Sequence, residues 1–467
     1  MEHVKRLEEI IEQKREKFIE VSDRIWDYAE TRFEEYRSAE LLCEALESEG
    51  FSVERGVGGI ETAFIGSYGF GKPIVAILGE FDALSDMSQK LAVAKKEPIV
   101  EGGNGHGCGH NLLGTGSLAA AVAVKNYMEE NNIEGTIRYY GCPGEEGGSG
   151  KTFMVKEGLF EDVDFALSWH PMDNNSIMSV NSLANFQVYY KFKGKSSHAA
   201  ATPHLGRSAL DAVELMNIGV NYLREHIIQE ARVHYAITNA GGFSPNVVQP
   251  NAEVLYLVRA PEISQVQEIY ERVCNIAKGA AIMTGTEVEI VFDKACSNVI
   301  PNKVLETVMY RSFQELGIPE HDEEELQLAK KIHSTLSEQE RNRTKKPIQN
   351  VKDEALSRWL DPYEGPLPLY GSTDVGDVSW ITPTVQCTTA CFVFDSSPHS
   401  WQWVTLGATS IAHKGMLHAG KVIAATAVEV LQNPELIDEA KVELKERLQG
   451  KEYISPIPKG VLPSARS

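Results

Sequence analysis

Short apolar runs alternate with helical periodicity through the first third of the chain. Residues 73–79 (PIVAILG) are apolar and rich in Ile and Val, which predicts a buried strand running into Glu80-Phe81-Asp82. Residues 113–128 place Ala, Leu and Val on one face and predict a helix. Residues 136–140 predict a second strand, leading into Gly141-Cys142-Pro143-Gly144-Glu145-Glu146, and residues 164–168 a third, leading into Trp169-His170-Pro171. Strand, loop and helix repeated in this way predict a doubly wound, mostly parallel α/β sheet with helices on both faces. Such sheets bind ligands beyond the carboxyl ends of their strands, where these polar residues stand.

The pattern changes near Phe186. Residues 186–192 read as a strand, 208–227 as a helix with Leu210, Val213, Leu215, Met216 and Val220 as its core positions, and 232–240 and 253–260 as two strands. A helix over 264–281 and a strand over 286–292 (TEVEIVF, period two) complete a β-α-β-β-α-β order. That order predicts a ferredoxin-like α+β unit inserted into the larger domain. The expected division is 1–184 with 297–467 for the larger domain and 185–296 for the insert. Beyond it, the charged stretch 320–354 predicts one or two solvated helices without chemistry. Residues 386–394 predict a strand and 409–431 a closing helix, and the Pro- and Ser-rich tail 454–467 is expected to be loosely held.

Composition narrows the function. A formal charge of −21 and no basic stripe interleaved with aromatics argue against nucleic acid. No apolar run is long enough for a membrane span, and the charged N-terminus does not resemble a secretory leader. Seven cysteines, an odd number without a small disulfide framework, point to the cytoplasm.

Gly105-His106-Gly107-Cys108-Gly109-His110-Asn111 is the densest chemical segment. Glycines let a chain turn tightly enough for Cys108 and His110 to face one ion, although alone the segment also suits a polar turn before a helix. Glu145 and Glu146 are adjacent, so one can bind metal while the other faces an attacking water; as an isolated pair they also suit solvent. His170 and His399 each follow a predicted strand. Together, Cys108, His110, Glu146, His170 and His399 fit two ions sharing a bridge better than one closed tetrahedral site. Residues 144–152 nearly spell a phosphate-binding loop, but its first-glycine position is Glu145, and two carboxylates would repel a nucleotide.

With CGHN, GEEGGSGK, SWHP and GSTDVGDVSW in place, the chain resembles the aminoacylase and carboxypeptidase-G family of metallopeptidases over about residues 18–431. Within it, the likeness is to the amidohydrolase branch of auxin-conjugate hydrolases and to the group of p-aminobenzoyl-glutamate hydrolase B subunits. The resemblance implies a cytoplasmic hydrolase of N-acyl amino acids with two divalent ions per subunit, Zn or Mn, with Co or Ni tolerated. It implies Cys108 as the bridging ligand, with His110, Glu146, His170 and His399 as the others, Glu145 as catalytic base and Asp82 as support for the metal cluster. His198, in the insert, would reach a partner subunit's site and hold the oxyanion, and Asn246 and Arg259 would hold the substrate's carbonyl or carboxylate. From sequence alone His198 also suits a helix start, and Arg259 a surface ion pair. A homodimer through the insert, or a heterodimer with a homologous subunit, follows from the same likeness. So do two alternatives, a dipeptidase for β-alanyl-type dipeptides and a metal-binding partner subunit with little activity alone. Asn111 departs from the branch, which mostly carries Asp there, and His106 is near the ions without being a usual ligand. Asp374 and Asp377 are expected to line the site or to orient a ligand histidine.

Overall fold

The computed structural model describes residues 2–342 and 354–465. Its larger sheet contains β1 (Ser52–Arg55), β2 (Phe64–Phe70), β3 (Ile74–Glu80), β4 (Gly135–Cys142), β5 (Phe165–Met172) and β6 (Ser176–Ile177). The inserted sheet contains β7 (Ala184–Lys193), β8 (Arg232–Asn239), β9 (Asn251–Ala260) and β10 (Glu287–Cys296), and β11 (Thr384–Ala390) returns to the first. The order of the larger sheet is β1-β2-β4-β3-β5-β11-β6. Its four central strands, β4, β3, β5 and β11, are parallel, while β1, β2 and β6 pair antiparallel at the flanks.

Central β3 shows why its sequence reads as continuously apolar. Val75 and Ile77 enter one core, whereas Ile74, Ala76 and Leu78 enter the other, so both faces are buried. On the first face pack the long helices His110–Asn131 and Ser410–Gln432, and the N-terminal helix Glu2–Gln13 packs against these two, burying Val4, Leu7, Ile10 and Ile11. The second face meets the short helix Gly150–Lys156.

The inserted sheet is antiparallel in the order β10-β7-β9-β8, with helices Ala209–Leu223 and Ile263–Thr284 as its crossovers. This is the ferredoxin-like arrangement. In the first of these helices Val213, Met216 and Val220 are buried as expected, but Leu210 and Leu215 are only half-buried at its flank. The helix also stops at Leu223 and tightens into a single turn, Arg224–His226. Strand β10 runs four residues past its expected end. A bulge between Phe292 and Lys294 leaves Asp293 out of register with β7, and this breaks the period-two pattern.

Two peripheral expectations need correction. The stretch 320–354 contributes one helix, Glu323–His333, started by a capping box at Asp322, and it buries Glu325, Ala329 and Ile332 rather than being solvated all round; residues 343–353 lie outside the described residues. The tail is tied down in its first half. Ile457 is buried, and the Lys156 ammonium donates to the carbonyls of Pro458 and Val461. The two units are joined by Arg32, which is buried and donates to both carboxylate oxygens of Asp293 on β10 (3.1 and 3.3 Å) and to the Gly147 carbonyl.

Candidate metal centre and active site

The parallel strands deliver their C-terminal residues to one place. Strand β3 ends in Glu80 and continues to Asp82, β4 runs through Cys142 to Glu145 and Glu146, β5 carries His170, and the loop after β11 carries His399. Cys108 and His110 arrive from the other side. Gly109, at φ 75°, turns the chain so that His110 becomes the first residue of its helix, three residues before the start expected from periodicity. The His399 backbone, itself at φ 59°, donates to the Gly107 carbonyl (2.9 Å) and locks the two loops together.

The potential ligand atoms of Cys108, His110 and His170 all lie within 4.8 Å of one another, and so do those of Cys108, Glu146 and His399. The two groups share the Cys108 sulfur. A third group, Glu80, His110 and Glu145, meets the same criterion. The His170 Nδ1 faces the Pro171 carbonyl at 2.9 Å, which assigns it the proton and leaves the Nε2 lone pair free, 3.5 Å from the Cys108 sulfur. The Asp82 carboxylate accepts from His110 Nδ1 (2.8 Å) with one oxygen and from the Glu146 backbone N–H (2.9 Å) with the other. One acid thus orients the His110 ring and fixes the backbone from which Glu146 projects, a common role beside metal-binding histidines.

The electrostatics are those of a ligand set. Burial, then the charge of Glu146, push the Cys108 thiol well above its ordinary range, against the pull of His110. Burial disfavours a charge on His110, yet Asp82 and the Cys108 sulfur overcome it and push the imidazole well above its ordinary value. Burial, with His110 nearby, lowers His170 to about 4. For Glu146, burial acts upward but the His399 contact (Nε2–Oε1 3.2 Å) and His110 hold it down at about 2. His110 Nε2, Glu80 Oε2 and Glu146 Oε1 are buried without a well-formed hydrogen bond among the described residues. Thiol, imidazole and carboxylate with orphaned atoms pointing at one another are what divalent transition ions require, so this donor set fits them.

Beside it, half-buried Glu145 is pushed well above the usual carboxylate range by burial first, then by Glu80, Asp374 and Glu146. Its neighbours include a network that the sequence pattern does not reveal. The fully buried Lys151 ammonium lies 2.6 Å from both Glu80 and Asp374, and the Lys151 backbone donates to the second Asp374 oxygen (2.9 Å). The lysine of the apparent phosphate loop is therefore consumed by two acids. Asp374 lines the pocket, the first of the two roles expected of it. Asp377 corrects that expectation. It accepts from Thr152, Ser297 and Tyr453 and is a structural anchor, pushed by burial up to about 6 despite these donors.

His106 is buried and neutral, lowered to about 4 by burial and then by His110, with its Nε2 3.0 Å from the Ile25 carbonyl. Asn111 donates to Ser22 and to the Gly407 carbonyl (3.1 and 2.9 Å). Those bonds explain an amide here, because an ionised Asp cannot donate.

The centre opens into a cavity of about 260 Å³ between the two units. Cys108, Glu145, Glu146, His170 and His399 line one side, Asn185, Arg259, Lys294 and Cys296 of the inserted sheet line the other, and the segment 369–374 closes an edge. Arg259 is inside the cavity rather than at the surface, donating to the Ser372 hydroxyl (2.7 Å). His198 and Asn246 do not line it. They are exposed at the far end of the insert, where the Ala199 N–H donates to the Asn246 carbonyl (2.9 Å). His198 Nδ1 accepts from the Ala200 and Ala201 backbones (3.2 and 3.1 Å), so its Nε2 carries a proton outward.

The model of peptidase family M20/M25/M40 matches residues 76–460. The chain belongs to the M20 family. It is 52% identical to the B subunit of the p-aminobenzoyl-glutamate hydrolase of Escherichia coli (strain K12), covering 98% of each chain. It is 28% identical to the Xaa-Arg dipeptidase of Mus musculus, over 97% of this chain and 94% of that one. Among solved structures, a Bacillus subtilis dinuclear metal binding peptidase of the M20 family superposes with a TM-score of 0.58 at 17% identity, covering 90% and 99% of the two chains, which shows a common fold. This M20 chain is a hydrolase acting on an amide bond. No helix among the described residues is long and apolar enough to cross a membrane, and all seven cysteines are buried and unpaired.

Proposed function

We propose that this M20 hydrolase cleaves the amide bond of N-acyl amino acids of the p-aminobenzoyl-glutamate kind at a two-metal centre. The observation that carries the reading is the pair of ligand groups joined at the Cys108 sulfur, with Glu145 beside them. In this reading Cys108, His110 and His170 hold one divalent ion and Cys108, Glu146 and His399 the other, with Zn or Mn suited to the set and Co or Ni tolerated. Ions bound there supply Lewis acidity to the scissile carbonyl and to the attacking water.

The chain's own residues do the rest. Glu145 takes the proton of the water and returns it to the leaving amine. Asp82 holds His110 and the Glu146 turn in place. Arg259 offers a planar fork to the substrate carboxylate. His198 of the partner subunit donates its outward Nε2–H to the oxyanion, and Asn246 beside it holds the substrate carbonyl. Residues 185–296 act as lid and subunit contact, and the remainder as the catalytic domain. The partner is a second copy of this chain or a homologous chain with its own histidine at the matching place, and the relative with 52% identity, itself one subunit of its hydrolase, supports a heteromeric arrangement. The free cysteines suit a reducing cytoplasm.

Purified chain is expected to bind two transition ions and to release p-aminobenzoate from p-aminobenzoyl-glutamate. Activity should vanish with a chelator and return with Zn or Mn. Metal binding without turnover, relieved only by adding a homologous chain, would instead support a partner-subunit role, and preferential cleavage of β-alanyl dipeptides the dipeptidase reading. Shared sites have their own test. Mixed and exchanged His198→Ala and Glu145→Ala chains should regain up to about a quarter of wild-type activity, because one site in such a pair is intact; proven exchange without recovery would exclude sharing.

A further inference from the structure

One charged side chain in the cavity has no part in this scheme. Lys294 lines the same space as Glu145 and Arg259, is only 8% exposed, and has no ion-pair or hydrogen-bond partner among the described residues. An ammonium that lines a binding cavity with no protein partner offers an entering ligand a free cationic anchor, and its chemistry suits an anionic group.

The bulge in β10 explains how it gets there. Regular alternation would send Asp293 and Lys294 to opposite faces of the sheet. With Asp293 out of register, Asp293 turns to Arg32 and Gln187 while Lys294 pairs with Gln187 in the ladder and still lines the cavity. Arg259 stands opposite Asn185 on the other side of β7. Two strand spacings and two residues of rise put the Cα atoms of Arg259 and Lys294 about 12 Å apart, so their long side chains can close on the two ends of a short dianion. Of the acids that line the cavity, Asp374 is engaged by Lys151 and Glu146 by His399, and Glu145 is the one assigned to the attacking water.

We propose that Lys294 binds the side-chain carboxylate of the released amino acid while Arg259 takes its α-carboxylate, so that the pocket selects amides of glutamate-like dicarboxylic amino acids. This assignment rests on the hydrolase reading and adds a specificity-determining residue to it. The paired cations also disfavour an arginine side chain at this position.

The test compares p-aminobenzoyl-glutamate with p-aminobenzoyl-glutamine on metal-loaded full chain. Wild type should favour the glutamate amide by at least about tenfold in kcat/KM, the scale of a hydrogen bond to a charged group. Lys294→Met should erase most of that preference through KM, with kcat and the glutamine amide little changed, and Lys294→Arg should restore it. An unchanged preference, or an equal fall for both amides through kcat, overturns the proposal. If wild type cleaves neither amide, the hydrolase reading fails by itself. Calorimetric titration of L-glutamate against L-glutamine then decides the subsite, with preference for glutamate expected in wild type and lost in Lys294→Met, and equal binding overturning it. Should Lys294→Met fail to fold, Lys294→Gln carries the same comparison.

Discussion

Glu145→Gln is expected to lower kcat by about 10²–10⁴-fold, the usual contribution of a positioned acid–base group, while both ions stay bound. The amide is nearly isosteric with the carboxylate, so the cavity keeps its shape. It cannot take a proton from water, so the chemical step fails without loss of substrate binding. The substitution also removes a charge that burial, Glu80, Asp374 and Glu146 all oppose. Thermal stability should therefore hold or rise slightly, a pattern unlike that of a lost ligand. The distinction has weight because Glu145 also groups with Glu80 and His110 as a third set of ligand atoms. Metal analysis separates the two roles. Wild-type ion content with collapsed turnover identifies a base, whereas a missing ion would make Glu145 a ligand and dismantle the mechanism.

Cys108→Ala is expected to be the most damaging change to metal content. Its sulfur belongs to both ligand groups, so its removal weakens two sites at once, whereas His170→Ala and His399→Ala each weaken one. Affinity should drop by at least about tenfold at each ion, the lower end of what even a supporting residue costs, and activity should fall below measurement. Because thiolate is a soft ligand, Cys108→Ser should also shift preference from Zn toward Mn. Parallel metal analysis of the three alanine variants decides the matter. Two ions retained by Cys108→Ala would refute the shared sulfur.

Much of this site was legible because its parts sit at predictable places. Ile74–Glu80 reads as a strand from composition alone, being buried on both faces, and the residues just after such strands converge by topology. The ligand-type residues near 108, 146, 170 and 399 could therefore be gathered before any geometry was known. Lys151 escaped for a local reason. In sequence it completes a glycine-rich loop, and only packing reveals Glu80 and Asp374 on either side of it. Lys294 escaped because the alternation that marks β10 breaks at the bulge, so the pattern stops where the functional half of the strand begins. Asn111 looked like a departure in the chemistry but answers to donors needed by Ser22 and Gly407. Leu210 and Leu215 were misplaced because helical periodicity cannot say where the covered face stops.

Arg32 has a mechanical consequence. Its guanidinium grips Asp293 on the lid and the Gly147 carbonyl in the turn that begins with Glu145 and Glu146. Any swing of the lid must either tear this clasp or haul the turn along with it. Substrate gripped between Arg259 of the lid and the cavity wall opposite would thereby tug on the very loop that holds the two glutamates, making capture and alignment a single movement.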